Sequence, residues 1–228
     1  MRRVLITGAS RGIGFALAER YAEDGWQVFA TCRRPQHALE LARLQYRIGP
    51  SVHVLALDVA DDRSIAGLAA HMADTPIDVL VNNAGVAPVG LEDLSYEGWE
   101  MAMRVNAYAT LTMTRHFLGS LLKSDRRTMI AISSEMGSIA LAGAGTRYSY
   151  RASKAAANML VKTLAADLAE YGLICAALHP GWVQTAIGSA RAPLVPAESA
   201  AALVRVIDAL TPEHSGGFYG PEGAMIPW

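Results

Sequence analysis

The stretch Thr7-Gly8-Ala9-Ser10-Arg11-Gly12-Ile13-Gly14 decides the fold that this chain predicts. It follows the apolar run Arg3–Thr7 and opens an amphipathic segment, Ile13–Asp24, so its glycines lie at a turn between a strand and a helix. Glycine lets the backbone turn sharply and approach a phosphate closely, and the helix start offers free N–H groups with a partial positive charge. Any tight turn can collect glycines, but in this context the stretch predicts a site for a dinucleotide.

The rest of the chain repeats this alternation of short apolar runs and longer amphipathic segments. Runs that are rich in Val, Ile and Leu and mostly lack polar alternation predict strands buried on both faces. We therefore expect a single-domain Rossmann fold over residues 1–228: an α/β, doubly wound parallel sheet of about seven strands with helices on both faces. The predicted strands are Arg3–Thr7, Gln27–Thr31, Val52–Leu57, Val79–Val81, Thr128–Ser133, Leu173–Leu178 and an edge strand near Gly217–Tyr219. The predicted helices are Ile13–Asp24, Ala38–Arg47, Asp61–Met72, Gly98–Leu122, Ser149–Glu170 and Ala197–Leu210.

Composition argues against several classes of partner. The net charge of −1 gives no basic field for nucleic acid or a membrane surface, and no run approaches the roughly 20 apolar residues of a membrane span. No apolar stretch typical of a signal peptide follows the first residues, and Cys32 and Cys175 read as reduced core thiols, so we expect a cytoplasmic protein. The six histidines have no ligand-like spacing, so no metal site is expected.

The end of the second strand indicates which dinucleotide is preferred. An NAD site places an acid there to hold the ribose hydroxyls, but the sequence is Thr31-Cys32-Arg33-Arg34. Guanidinium groups attract a 2′-phosphate. Arg11 lies in the glycine loop, and we expect its side chain to reach the same phosphate. The sequence therefore favours NADP(H), the alternative being that Arg33 and Arg34 are merely solvated.

Two further strand ends carry residues suited to a cofactor. Asp58, followed by Val59, ends the third strand and predicts an acceptor for the adenine amino group. The stretch Asn82-Asn83-Ala84-Gly85 ends the fourth strand, and its small residues allow the cofactor ribose to lie against backbone. Asn82 has an alternative role, which is to tie neighbouring strands together.

Tyr150 and Lys154 are four residues apart, so they share one face of a predicted helix. A phenol normally titrates near pKa ~10, and a nearby ammonium favours the phenolate and lowers that pKa. Such a tyrosine is suited to general acid–base chemistry, and the lysine is also suited to holding the nicotinamide ribose. Taken alone the spacing is a weak signal, because such pairs occur on many helix surfaces.

Other polar residues give that pair its weight. Ser134 follows the strand Thr128–Ser133, at the edge where α/β sheets bind ligands, and its hydroxyl is suited to holding a substrate carbonyl. Ser133 is its competitor, since strand alternation sends the two side chains to opposite sides. Asn106 falls in the apolar helix Gly98–Leu122, which predicts either an ordinary helix-to-helix hydrogen bond or a water relay to Lys154.

Together these residues resemble the motif set of the short-chain dehydrogenase/reductases. The resemblance covers essentially the whole chain and includes Pro180-Gly181 and Thr185, which by that likeness contacts the nicotinamide carboxamide. Within the family the chain resembles the C-factor and sniffer-like carbonyl reductases, through Ser133–Ile139, Tyr150–Ala156, Leu178–Val183 and Ile226–Trp228. This likeness implies NADPH as cofactor.

The expected function is NADPH-dependent reduction of a ketone, aldehyde or quinone-type carbonyl to an alcohol. The expected catalytic residues are Tyr150 as general acid, Ser134, Lys154 and Asn106. The expected cofactor-binding residues are Gly8, Ser10, Arg11, Gly12, Ile13, Gly14, Arg33, Arg34, Asp58, Val59, Asn83, Ala84, Gly85, Tyr150, Lys154, Pro180, Gly181, Val183 and Thr185. The alternatives are an NADP-dependent alcohol dehydrogenase working in reverse, and an NADP(H)-binding signalling or regulatory protein like C-factor.

Three features concern the surroundings of this site. Ser134 and Tyr150 are 16 residues apart, more than in most members of the family, and the extra residues fall in Ala140–Thr146, which we expect to bulge over an open site. The family likeness suggests a homodimer or homotetramer through the helices around 98–122 and 149–170. The apolar tail Ala224–Trp228 is expected either near such an interface or beside the substrate pocket.

Overall fold

Seven short strands form one parallel sheet in the computed structural model, which describes residues 1–228. The strands are β1 (Arg3–Ile6), β2 (Gln27–Cys32), β3 (Val52–Ala56), β4 (Val79–Asn82), β5 (Thr128–Ile132), β6 (Ile174–Leu178) and β7 (Gly217–Tyr219). Their order across the sheet is β3-β2-β1-β4-β5-β6-β7, and every neighbouring pair is parallel. The predicted α/β class, the doubly wound sheet and the edge position of β7 are confirmed.

The strand order places a crevice in the middle of the sheet. From β1 the chain builds outward to β3, and then crosses back to place β4 on the other side of β1. Open α/β sheets bind their ligands at such a reversal, outside the carboxyl ends of the strands. The ends of β1 and β4 are therefore where the fold alone predicts a binding site.

The chain forms seven helices, and six of them cover the two faces of this sheet. They are α1 (Gly12–Glu23), α2 (Leu39–Ile48), α3 (Asp62–His71), α4 (Tyr96–Met103), α5 (Ala109–Leu122), α6 (Tyr148–Asp167) and α7 (Pro196–Ala209). Apolar residues of α1, α2 and α7 pack on one face, and those of α3, α5 and α6 pack on the other. None of these helices combines the length and the apolar character that crossing a membrane requires.

The predicted segments agree with the structure except around two long helices. The predicted helix Gly98–Leu122 begins earlier, at Tyr96, because the Ser95 hydroxyl accepts a hydrogen bond from Gly98 N at 3.0 Å and caps α4. It is also divided by a wider π turn, Arg104–Tyr108, between α4 and α5. The helix predicted to reach Glu170 ends at Asp167 and gives way to a tighter turn.

The turn between β1 and α1 lies directly against the segment that follows β4. Gly8 has a left-handed backbone, with φ of +67°, and a Cβ atom there would lie 2.8 Å from Ala84 Cα. A Cβ atom on Gly14 would lie 2.5 Å from the Gly8 carbonyl oxygen and closer still to Asn83 Nδ2. That amide donates to the Thr7 carbonyl oxygen at 2.8 Å. The glycines are therefore required by this close approach as well as by the turn.

Gly14→Ala is expected to lower the free energy of unfolding by about 1–3 kcal/mol, because the added methyl group has no free space. Urea unfolding monitored by circular dichroism measures the loss. A variant as stable as the wild type would contradict the close packing described for this turn.

Gly67→Ala is the matched control, since Gly67 lies inside α3 with nothing within 4 Å of an added Cβ atom. Alanine is preferred to glycine in a helix interior by about 1 kcal/mol, so this variant is expected to be more stable than the wild type. The two substitutions should shift the unfolding midpoint in opposite directions.

Candidate active site

The two serines that follow β5 have different surroundings, although both lie near α6. The Ser133 hydroxyl donates to Asn158 Oδ1 on α6 at 2.6 Å, so it is occupied within the buried interior. The Ser134 hydroxyl accepts a hydrogen bond from Met136 N at 3.2 Å, and it is near enough to Tyr150 to lower the pKa of that phenol. Of the two candidates, the structure places Ser134 beside the tyrosine, and its role toward a substrate stays a prediction.

Tyr150 and Lys154 lie on the buried face of α6, close to this strand end. Both are almost fully buried, and Lys154 Nζ lies 5.8 Å from the centre of the Tyr150 ring. The ammonium donates a hydrogen bond to the Ile132 carbonyl oxygen at 2.7 Å. Helix α6 is thus attached to the last residue of β5, next to Ser134.

Burial changes the acidity of both groups. It lowers the pKa of Lys154 to about 8 and raises the pKa of Tyr150 above its ordinary value. Ser134 and the positive charge of Arg147 lower the pKa of Tyr150, but they do not outweigh burial. The sequence predicted that Lys154 lowers this pKa, and the structure gives the opposite net direction because the loss of solvation is the larger effect.

Asn106 lies in the π turn and not, as predicted, in a regular α-helix. Its Oδ1 accepts from Val86 N at 2.8 Å, and its Nδ2 donates to the Val86 carbonyl oxygen at 2.8 Å and to Ser153 Oγ at 2.9 Å. Asn106 therefore joins the segment after β4 to α6, which matches the structural alternative of the sequence analysis. The water relay to Lys154 stays a prediction.

Asn83 ties the glycine turn to the end of β4, a role that the sequence offered to Asn82. Besides Thr7, the Asn83 side chain donates to the Gly8 carbonyl oxygen at 3.2 Å. The amide atoms of Asn82 are buried and have no hydrogen-bond partner within the protein. The sequence left this role open as an alternative for Asn82, and the tie is made one residue later because Asn82 still belongs to β4 and its side chain is buried.

The loops that meet at the crevice bring the two predicted halves of the site together. At Gly12, whose φ is +58°, a Cβ atom would lie 3.3 Å from Thr185 Cγ2, so the loop after β6 lies against the glycine turn. A Cβ atom on Gly85 would lie 3.7 Å from Lys154 Nζ. The segment after β4 therefore lies beside the lysine on one side and the glycine turn on the other.

A cavity of about 530 Å³ opens at the end of β2, beside the glycine turn. Arg33 and Arg34 are exposed in it, and they make it suited to an anion. Asp58 also reaches the cavity, where its Oδ1 accepts a hydrogen bond from Ala60 N at 3.0 Å. The complete lining is Ser10, Cys32, Arg33, Arg34, His37, Ala38 and Asp58. Of these, Cys32, His37 and Ala38 were not among the cofactor-binding residues expected from the sequence.

The segments predicted to flank the site are placed as follows. Ala140–Thr146 is exposed throughout. The tail Ala224–Trp228 packs against the start of this loop, where the Ser138 hydroxyl donates to the Trp228 carbonyl oxygen at 3.1 Å and the Trp228 ring stacks on Phe218 at 5.5 Å. The tail therefore lies beside the segment that follows β5, and its expected place near an interface or beside the substrate pocket stays a prediction.

Asp93 holds the first turn of α6 and was missed in the sequence. Its carboxylate accepts hydrogen bonds from Tyr148 N at 2.9 Å, Ser149 N at 3.0 Å and Ser149 Oγ at 2.5 Å. Burial raises the pKa of this carboxyl, but the hydrogen bonds outweigh it and hold the pKa below its ordinary value. One indirect signal is present in the sequence. Arg147 precedes the helix, and an arginine side chain cannot accept the hydrogen bonds that a helix cap requires, so the cap must come from elsewhere.

Comparison with known proteins relates this geometry to one family. A family model described as short chain dehydrogenase matches residues 2–193. Over 162 residues the chain is 40% identical to the C-signal protein of Myxococcus xanthus, covering 70% of this chain and 98% of that one. The carbonyl reductase Sniffer of D. melanogaster superposes with a TM-score of 0.93 at 30% identity over 100% of both chains. An NADPH-bound carbonyl reductase from chicken fatty liver superposes with a TM-score of 0.92 at 34% identity, over 100% of this chain and 99% of that one.

Asp93→Ala is expected to lower the free energy of unfolding by about 1–2 kcal/mol at pH 7, because it removes the cap of α6. The folded-state pKa of Asp93 is depressed, so its contribution is present above about pH 4 and is lost as the pH falls through the folded-state value. Urea unfolding at pH 7 and in acid measures the free energy of unfolding of the wild type and the variant. The difference between the two proteins should be smaller in acid.

Asp61→Ala provides the control, because exposed Asp61 caps α3 through a hydrogen bond from Arg63 N at 2.9 Å. In this variant, water can hydrogen-bond to Arg63 N in place of the Asp61 carboxylate. The free energy of unfolding is therefore expected to fall by only about 0.5–1 kcal/mol. Equal losses for the two variants would argue against the special role of the buried Asp93 carboxylate.

Proposed function

The chain belongs to the short-chain dehydrogenase family of oxidoreductases, and from that premise we propose that it is an NADPH-dependent carbonyl reductase with Tyr150 as its general acid. The observation that carries the proposal is the placement of Ser134, Tyr150 and Lys154 at one strand end, beside the segment that contacts the glycine turn. The similar proteins described as carbonyl reductases, Sniffer and the chicken enzyme, support the same activity.

The residues of this chain fit a phosphorylated dinucleotide. The turn at Gly8 and Gly14 has no side chain in the way of a pyrophosphate, and the start of α1 offers free N–H groups to it. Arg33 and Arg34 line a cavity large enough for a ribose phosphate, which supports NADPH over NADH. When bound, NADPH supplies the hydride that the reaction requires.

Each residue around Tyr150 has a separate task in the proposed reaction. Ser134 holds the carbonyl oxygen of the substrate by a hydrogen bond, and Tyr150 donates its phenolic proton to that oxygen. Lys154 holds α6 against the end of β5, and its proposed second role is to bind the ribose. Asn106 keeps the segment after β4 joined to α6, and it is also the proposed link in a proton path toward Lys154.

The raised pKa of Tyr150 bears on its proposed role as proton donor. A phenol whose pKa lies above its ordinary value is protonated at neutral pH. Reduction of a carbonyl needs this protonated form. Burial therefore favours the form of Tyr150 that the proposed proton donation requires.

A signalling or regulatory protein is the second candidate, favoured by the 40% identity to C-signal. A protein that only senses NADP(H) does not need a tyrosine and a lysine buried beside a serine at the strand end, so the site supports catalysis.

Residues 1–228 are proposed to act as one domain with this site built in. Exposed apolar side chains on α4 and α6, Trp99, Met101 and Met159, support the predicted homo-oligomer.

Tyr150→Phe is expected to lower kcat for carbonyl reduction by about 100-fold or more, because the general acid is lost. NADPH consumption with diketones, quinones and aldehydes measures the rate, and fluorescence titration with NADPH should give an unchanged Kd. Tyr148→Phe alters an exposed tyrosine in the same turn and should keep the parental rate. Tight NADPH binding by the wild type without turnover of any carbonyl would favour the signalling candidate.

Replacing both Arg33 and Arg34 by alanine is expected to raise the Kd for NADPH by roughly 10- to 100-fold, because the hydrogen bonds between the guanidinium groups and the 2′-phosphate are lost. The Kd for NADH should change little, because it lacks the 2′-phosphate. Arg43→Ala removes an exposed arginine that pairs with Glu40 on α2 and serves as the control. Equal weakening of NADPH and NADH binding would contradict phosphate recognition by these arginines.

A further inference from the structure

The backbone ladder between β5 and β6 ends at Ser133. Ser133 N donates to the Leu178 carbonyl oxygen at 2.8 Å. The evenly spaced bonds of a parallel pair would next join Glu135 N to the Pro180 carbonyl oxygen. That carbonyl oxygen instead accepts a hydrogen bond from the Ser199 hydroxyl on α7 at 2.7 Å. Glu135 N is therefore left without the backbone partner that a longer strand would have given it.

The His179 side chain takes the next place in this ladder. Its Nδ1 accepts a hydrogen bond from Glu135 N at 3.3 Å, and its Nε2 lies 3.8 Å from the Glu135 carboxylate. The side chain is only 13% exposed, and His179 N donates to the Tyr219 carbonyl oxygen on β7 at 2.8 Å. Ser134 therefore lies between two N–H groups, of which β6 holds the first and the residue directly after β6 holds the second.

This contact requires a neutral ring whose proton is on Nε2. A histidine nitrogen accepts a hydrogen bond only when it carries no proton, and the charged ring has a proton on both nitrogens. The Glu135 carboxylate lies on the Nε2 side of the ring, where it is suited to meet that proton. Taking up a proton at Nδ1 would therefore break the hydrogen bond from Glu135 N.

The groups around His179 keep this ring neutral near pH 7. Burial lowers its pKa and outweighs the carboxylates of Glu135 and Glu222, which raise it. The Tyr219 hydroxyl on β7 is turned away and donates to the His214 carbonyl oxygen at 3.1 Å. On α6 the Lys154 ammonium is directed to the end of β5. The contact is thus intact at neutral pH and is lost in acid.

We propose that His179 is a positioning residue for Ser134, which extends the β5–β6 ladder through its Nδ1 and so fixes the strand end that presents the serine hydroxyl. The inference rests on the proposed function. The Ser134 carbonyl oxygen accepts from Gly137 N at 2.8 Å, and its hydroxyl accepts from Met136 N at 3.2 Å. Both donors belong to the turn that begins at Glu135, so a displacement of Glu135 N moves the hydroxyl that is proposed to hold the substrate carbonyl.

The protonation state of the ring tests this contact without any need for activity. Nuclear magnetic resonance of protein labelled with ¹⁵N distinguishes a ring nitrogen that carries a proton from one that does not, and the His179 signals are identified by their loss in His179→Asn. At neutral pH, Nδ1 is expected to be the nitrogen without a proton. The amide signal of Glu135 should shift as the ring becomes charged in acid. A proton on Nδ1 at neutral pH would overturn the inference.

Two substitutions of His179 separate the acceptor from the volume of the ring. His179→Asn keeps an acceptor close to the position of Nδ1, and His179→Leu keeps an apolar side chain without one. His179→Leu is expected to lower kcat/KM for carbonyl reduction by roughly 10-fold or more, because the serine hydroxyl is misplaced. His179→Asn should stay close to the parental rate at neutral pH. His214→Leu is the matched control and should keep the parental rate, since His214 Nδ1 accepts from Thr211 N at 3.1 Å away from the site.

The acid side of the pH profile gives a readout that a loss of packing alone would not produce. The Tyr150 phenol keeps its proton in acid, so reduction by the wild type is expected to fall there as the His179 ring becomes charged. This fall should lie below about pH 6.5, the ordinary pKa of a histidine, because burial lowers the value. The amide of His179→Asn does not titrate, so the fall should be absent or displaced to lower pH in that variant.

The outcomes separate this inference from the proposed function. An acid fall that is identical in the wild type and His179→Asn, or a parental rate in His179→Leu, overturns the inference in an enzyme that still reduces carbonyls. Equal losses of activity in both variants at neutral pH show that the ring acts by its packing, which also overturns it. A Tyr150→Phe variant that reduces carbonyls at the parental rate overturns the proposed function, while the ring tautomer and its effect on Glu135 N stand.

Discussion

Burial of the Lys154 ammonium is the constraint on which the rest of the site depends. A charged group in a protein interior is costly unless a polar partner meets it, and here the partner is the carbonyl oxygen of Ile132 at 2.7 Å. Ile132 is the last residue of β5, so the contact sets the position of α6 relative to the strand end. Ser134 follows two residues later and Tyr150 precedes Lys154 by one turn, so the same contact helps to fix where these two residues lie relative to each other.

Much of this arrangement follows from local patterns in the sequence. The apolar runs gave the strands because parallel strands are buried on both faces, and the glycines at Gly8 and Gly14 sit where the backbone passes too close to a neighbour for any side chain. Helical periodicity put Tyr150 and Lys154 on one face. Each of these inferences needs only residues that are adjacent in sequence or one turn apart.

The features that the sequence did not reveal depend on contacts between distant segments. Asp93 lies 55 residues before Tyr148, to whose backbone it binds, and no local pattern connects them. No residue pattern distinguishes the π turn at Asn106 from the α-helices on either side of it. It widens the helix where the Asn106 side chain bonds to Val86 and Ser153. The net pKa direction of Tyr150 was wrong from sequence for a related reason, since a charged neighbour is visible in a motif and the depth of burial is not.

The correction to Tyr150 changes what the site must achieve. A lysine that lowered the pKa of the phenol toward neutral pH would make it a more effective general acid and base. A buried phenol keeps its proton, but the phenolate formed on donation then lacks water to stabilise it. Stabilisation must come from fixed groups that are already in place, namely the Ser134 hydroxyl and a nearby positive charge. Asp93 at the start of α6 and Lys154 at the sheet hold this helix in position through polar contacts. The same contacts therefore keep Tyr150 close to the groups that stabilise its phenolate.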